Sequence, residues 1–173
     1  MQFLWDKLKS NRSRSVNRPI AVEIAITSTS SQLKVIRDTY YTEYRISLER
    51  DLNVKVEGLF GQMLKDLLLR PRDPDNTAVD LDYVDHMIGT ITKPENGVEE
   101  LGRNYEMFNE MFEKIFLNQS LIQLRSFFDR YDTHAMRASA DSDSPKVRDF
   151  ETAIRKSVNM HSDIRHMILL FGK

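Results

Sequence analysis

Four histidines, His86, His134, His161 and His166, are the side chains best suited to metal binding or proton transfer. His161 and His166 stand five residues apart, so on one helix their rings diverge. The H-E-x-x-H spacing, which puts two imidazoles on one helical face, is absent. A zinc site from His134, His161 and the Asp141/Asp143 segment rests on composition alone. With no cysteine, thiolate metal sites, disulfide scaffolds and cysteine nucleophiles are excluded. Gly58-Leu-Phe-Gly61 lacks the Lys-Ser/Thr that completes a phosphate-cradling loop. No G-x-S-x-G occurs. Glu99-Glu100 lies in a polar stretch, a poor setting for a general acid. These patterns point away from an enzyme. What remains is charge. Lys7, Lys9, Arg12, Arg14 and Arg18 gather near the N-terminus beside Trp5, the only tryptophan. Fixed cations near an anionic membrane contribute about 1 kcal/mol each, and tryptophan suits the membrane–water interface. The alternative is a solvated tail, with Trp5 packed on its own fold.

Behind these residues stands a helical chain. Its 173 residues suffice for one ordinary domain or two small ones. Hydrophobic residues make up 40% and charged residues 29%, a globular balance. Lys+Arg is 25 against Asp+Glu 26, so nucleic acid is not an expected partner. The apolar run Met167–Phe171 is far too short to span a bilayer. The N-terminal stretch has no apolar core of signal-peptide length. The expectation is a soluble, intracellular protein.

Only 6 glycines and 5 prolines punctuate the chain. Asn17 and Pro19 mark a helix start, continued by Ile20–Thr27. Thr29 or Ser30 can cap a second helix striped by Leu33, Ile36 and Tyr40. Leu48 and Leu52 mark another, ending near Asn53, and Leu59, Met63, Leu67 and Leu68 the next. Arg70–Thr77, with two prolines and three Asp/Asn residues, reads as a linker. Asp80 can cap a helix to about Thr92, broken by Lys93–Gly97. Met107, Met111, Ile115 and Phe116 form a helical stripe. Ser120 can cap the next helix, with Leu124, Phe127, Phe128 and Tyr131. Residues 132–146 are small, polar and turn-rich, which predicts a mobile loop. Helices over 147–157 and 162–171 close the chain. The methionines and the stripe of Tyr40, Tyr44, Phe127, Phe128 and Tyr131 read as core. No stretch alternates with period 2, so the fold class is all-α.

The chain also repeats itself. Gln32-Leu-Lys-Val-Ile-Arg-Asp-Thr-Tyr40 and Gln123-Leu-Arg-Ser-Phe-Phe-Asp-Arg-Tyr131 share Gln, Leu, Asp and Tyr at an offset of 91. Ile24 and Ile115 keep that offset, while Met63-Leu64 and Met167-Ile168 match at 104. The difference of 13 places an insertion near 132–146. The expected organisation is a first copy over 1–70, a connection over 71–79 and a second copy over 80–173.

The first copy, Glu23-Ile24 through Thr29, Gln32-Leu33-Lys34, Ile36 and Tyr40, resembles the B–C segment of an annexin repeat. Tyr44 and Ser47-Leu48-Glu49 are similar to the annexin opening of helix D, and Gly58 with Met63-Leu64 to helix E. Arg72-Asp73-Pro74-Asp75, followed by Asp80, Val84 and Asp85, resembles the long connection between the second and third repeats. Phe112, Ile115-Phe116, Ser120, Leu124-Arg125 and Phe128–Tyr131 are similar to a third or fourth repeat. The resemblance implies two five-helix repeats packed side by side, the first with a shortened first helix.

It also implies what has been lost. An annexin calcium site takes carbonyls from a Gly-x-Gly-Thr loop between helices A and B and a bidentate acid from the D–E loop. Here the A–B loops align with Ser13-Arg14-Ser15-Val16 and with Asn104–Met107, and the acid positions with Lys55 and near Val158. Hard cations take oxygen ligands, so no calcium site of the usual type is expected. Glu57, Asp141 and Asp143 are nearby acids that can hold a weak ion or stay solvated. By the resemblance, Lys55 lies on the convex face that meets phospholipid. Trp5, Arg12, Arg14, Arg18 and Lys55 are therefore the candidate membrane contacts. The expected function is a cytoplasmic, peripheral scaffold on anionic phospholipid with weakened or absent calcium dependence. The alternative is a calcium-independent protein–protein or cytoskeleton-associated module. A homodimer is expected, because half an annexin leaves apolar faces uncovered.

Overall fold

The structure is a computed structural model that describes residues 17–74, 77–92, 105–140, 149–157 and 159–172. The described elements are helical, with no strand among the described residues. The chain divides into two compact units, Met1–Pro74 and Asp75–Lys173.

In the first unit, α1 spans Arg18–Thr27, α2 Ser30–Tyr44, α3 Leu48–Lys55 and α4 Gly58–Leu69. Proline sits in the first turn of α1, where its missing N–H costs nothing. Thr29 and Gln32 form a reciprocal capping box at the start of α2. Helix α1 and helix α3 each pack against α4. The core is largely aliphatic: Val22, Leu33, Met63, Leu64 and Leu67 are almost wholly buried. The two glycines of Gly58-Leu-Phe-Gly61 serve the backbone. Gly58 opens α4 with φ +68°, a conformation that disfavours other residues. A Cβ at Gly61 would meet the Val56 carbonyl group at 2.8 Å. The turn between α3 and α4 is tight for both reasons.

The 71–74 segment is not a free linker. The Arg72 side chain is buried, and its guanidinium donates to the Ala25 and Ile26 carbonyls at 2.8 and 2.9 Å. These are carbonyls at the C-terminal end of α1, where a cation is favoured. The Arg72 N–H donates to Ser30 Oγ at 3.0 Å, and the Ser30 hydroxyl lies 3.0 Å from the Arg72 carbonyl. Arg37 binds the end of α4 in the same manner, donating to the Leu68 carbonyl at 2.9 Å.

In the second unit, α5 spans Leu81–Ile91, α6 Tyr105–Met111 and α7 Leu121–Ala140. Helix α8 spans Phe150–Lys156 and α9 Ser162–Phe171. Helix α6 continues into a π-helical segment, Phe112–Leu117. There the Lys114 carbonyl accepts from the Tyr83 hydroxyl at 2.9 Å and from Gln119 at 3.2 Å. This core is aromatic. Phe116, with no measurable exposure, lies among Phe112, Phe128 and Phe171, and Phe150 makes edge contacts with Phe127, Phe128 and Tyr131. Helix α5 packs on α7, where Arg130 pairs through two nitrogens with Asp85. The Gln123 side chain both accepts from the Asp80 N–H, at 2.8 Å, and donates to its carbonyl, at 3.0 Å.

The expected loop over 132–146 is corrected in its first part: α7 runs on through Ala140. Its Thr133, Ala135 and Ala140 are compatible with a helix, no Gly or Pro interrupts them, and Ala135 is buried in the core. Asp132 is also engaged, its carboxylate accepting from the Phe150 N–H at 3.0 Å. Residues 141–148 lie outside the described residues, as do residues 1–16, where the shortened first helix was expected.

Candidate functional site

The site develops at the connection between α3 and α4. Ser47 caps α3, its hydroxyl accepting from the Arg50 N–H at 3.2 Å. One turn on, Asp51 points back toward α2, where its Oδ2 accepts a hydrogen bond from the Tyr40 hydroxyl. The same oxygen accepts from Lys55 Nζ at 2.5 Å, four residues along α3. Tyr40 is buried, and burial first, then its bond to the Asp51 carboxylate, hold the phenol well above its usual range. The hydroxyl therefore remains a donor. Lys55 is the last residue of α3, where its charge also complements the helix dipole. Its side chain keeps 24% exposure.

Around it, Val54 is 74% exposed, whereas Val56 turns into the core. Lys65 of α4 donates to Asn53 Oδ1 at 3.0 Å. Glu57 is the N-cap residue of α4, exposed and without a side-chain capping bond. Arg18, at the start of α1, places its guanidinium 5.3 Å from the centre of the Phe60 ring. Arg18 and Lys55 thus both belong to the first unit. Trp5, Arg12, Arg14, Asp141 and Asp143 lie outside the described residues.

The described side chains at the α3–α4 connection do not by themselves make a divalent-cation site. A hard cation needs several oxygens, including a carboxylate. Here Lys55 supplies an ammonium, and Asp51 already accepts from two donors. Glu57 remains as an acid among the described residues of the turn. Among the described residues, no cluster of three or more His, Asp or Glu could hold a metal ion.

The matching connection of the second unit runs from α8 to α9. Ser157 is buried there, Val158 lies outside the described residues, and Asn159 adopts φ 62°. Arg165 of α9 donates one nitrogen to the Ser157 carbonyl at 2.8 Å and to the Met160 carbonyl at 3.3 Å. A guanidinium thus occupies carbonyl oxygens of the turn. Sequence reading missed this residue and also Asp51. The i,i+4 spacing of Asp51 and Lys55 was the available signal for the latter. His161 caps α9, its Nδ1 accepting from the Asp163 N–H at 3.2 Å, which explains one histidine structurally.

No protein-family model matches the chain. Human annexin A5 is 30% identical over 122 residues, covering 70% of this chain and 36% of that protein. Human annexin A3 is 30% identical over 134 residues, covering 78% and 39%. The structure of chicken annexin V superposes with a TM-score of 0.69 at 21% identity, over 98% of this chain and 46% of that one. The chain thus spans less than half the length of the relatives it matches.

Proposed function

The chain is an annexin-family relative with the family's all-α fold, and from that premise we propose a peripheral scaffold on anionic phospholipid with weakened or absent calcium dependence. The observation that carries this reading is Lys55. It stands at the α3–α4 turn, the position where the resemblance implies a calcium-binding acid, and its ammonium is partly exposed. A cation built into the chain would do there part of what a bound divalent ion does in relatives. Arg18 adds a second exposed charge, and Val54 an exposed apolar side chain beside Lys55. Trp5, Arg12 and Arg14 remain part of the proposed contact. Glu57, Asp141 and Asp143 are proposed as no more than weak calcium ligands. No described helix is long and apolar enough to cross a membrane, which suits attachment at the surface. The proposed setting is the cytoplasmic face of a membrane, and the proposed role is non-enzymatic.

The second reading is a protein-binding module, cytoskeletal or self-associating. Exposed Val35 and Tyr41 on α2, and Ile122 and Met136 on α7, favour it. Co-sedimentation with phosphatidylserine vesicles separates the two. Binding that needs no calcium and weakens with salt is the expected result. Strict calcium dependence would refute the reading of Lys55. No binding at low salt, with or without calcium, would leave the protein-binding module.

A further inference from the structure

Asp51 holds two donors on one oxygen, and they differ in what they can give up. The Tyr40 hydroxyl comes from a buried ring on α2. The Lys55 ammonium comes from a side chain at the rim, 24% exposed, at the end of α3. An ammonium has three N–H groups and takes up new acceptors readily. An ion pair of this kind on a helix surface is a weak restraint. We propose that Asp51 is the positioning residue for Lys55: it parks the ammonium against α3 until an anionic phospholipid headgroup takes the place of its carboxylate. Tyr40 completes the device. When Lys55 leaves, Asp51 keeps the hydroxyl bond and is not stranded as an unpaired acceptor at a part-buried position. The exchange moves one ammonium from a carboxylate to a phosphate and transfers no proton. Val54 neighbours the lysine on the same helix end, so an apolar side chain would accompany the released charge.

The inference rests on the lipid-binding reading above. Its test is co-sedimentation with phosphatidylserine-containing vesicles, without calcium and at low salt, of the full chain and three variants. Asp51→Asn, which frees the ammonium, is expected to bind about twofold tighter, the worth of an i,i+4 surface pair. Lys55→Gln is expected to bind about fivefold more weakly, the worth of one lysine at an anionic surface. The double variant is expected to bind no tighter than Lys55→Gln alone. Far-UV circular dichroism checks that each variant folds. If Asp51→Asn does not fold, the loss in Lys55→Gln still has to appear. Asp51→Asn equal to or weaker than the parent overturns the inference. Tightening that persists without Lys55 overturns it too, because net charge alone would explain it. A parent chain that binds vesicles while Lys55→Gln is unchanged sinks this inference and spares the lipid reading. A parent that binds none sinks both.

Discussion

Each unit places a cation at the corresponding helix connection, and the two cations are held by different chemistry. In the first, Lys55 neutralises a side chain, Asp51, and stays partly open to solvent. In the second, Arg165 reaches back from α9 and takes backbone carbonyls of Ser157 and Met160. A lysine is a point charge on a flexible stem, easily traded between anions. A guanidinium with two carbonyl acceptors is part of the turn itself. The difference separates an ammonium left partly open to solvent from a guanidinium spent on the fold. The cores differ in parallel, aliphatic around Leu64 and aromatic around Phe116.

The largest expected effect tests that contrast of cores. Phe116→Ala should cost about 3–5 kcal/mol, as large aromatic truncations in close-packed interiors do. Hydrogen exchange should rise in α5–α9 and remain near the parent level in α1–α4. An equal rise in both sets would break the division into two compact units.

The next effect sharpens the contrast of cations. Arg165→Met should cost about 1.5–3 kcal/mol in chemical denaturation, because it removes a charged donor from two carbonyls. Lys55→Met should cost only about 0.3–0.5 kcal/mol, the usual worth of an i,i+4 pair. Equal costs would show Lys55 to be as structural as Arg165.

The smallest effect is a pH dependence confined to the second unit. The Asp149 carboxylate caps α8, and its bond from the Thr152 N–H holds it below the ordinary value of 3.8. A depressed carboxylate contributes stability that is present above the unfolded value. That stability is lost as the pH falls through the lower folded value. Exchange protection of α8 should therefore decline below about pH 3.8 in the parent. Asp149→Asn should flatten the decline. The same acid response in both would remove Asp149 as its source.

Much of the fold was legible in the residues. The span of α9 was read as 162–171, Asp80 was read as a cap, and of the two candidates Thr29 and Ser30 it is Thr29 that caps α2. Repeated Gln32 and Gln123 revealed the duplication but not its divergence. Gln32 serves a local capping box, while Gln123 reaches 43 residues back to Asp80. Periodicity records neighbours along a helix and is silent on such long-range partners. The same limit hid Arg72, whose proline-rich surroundings read as a linker, and Arg165, whose acceptors are main-chain atoms. The α7 extension was missed because small residues suit both a loop and a helix. At the candidate site, Lys55 and Glu57 were named through the annexin resemblance alone. Asp51 was overlooked although its i,i+4 spacing to Lys55 could have shown it, whereas its bond from Tyr40 depends on how α2 crosses α3.

Arg72 has a consequence for how the chain withstands proteases. The stretch from Arg70 to Pro74 reads as the natural place to cut the polypeptide. A trypsin-like enzyme needs an extended substrate and a basic side chain free to enter its specificity pocket. Arg70 precedes a proline, and the Arg72 guanidinium is fastened to Ala25 and Ile26. The apparent seam of the molecule is guarded by the residue that would otherwise invite the blade.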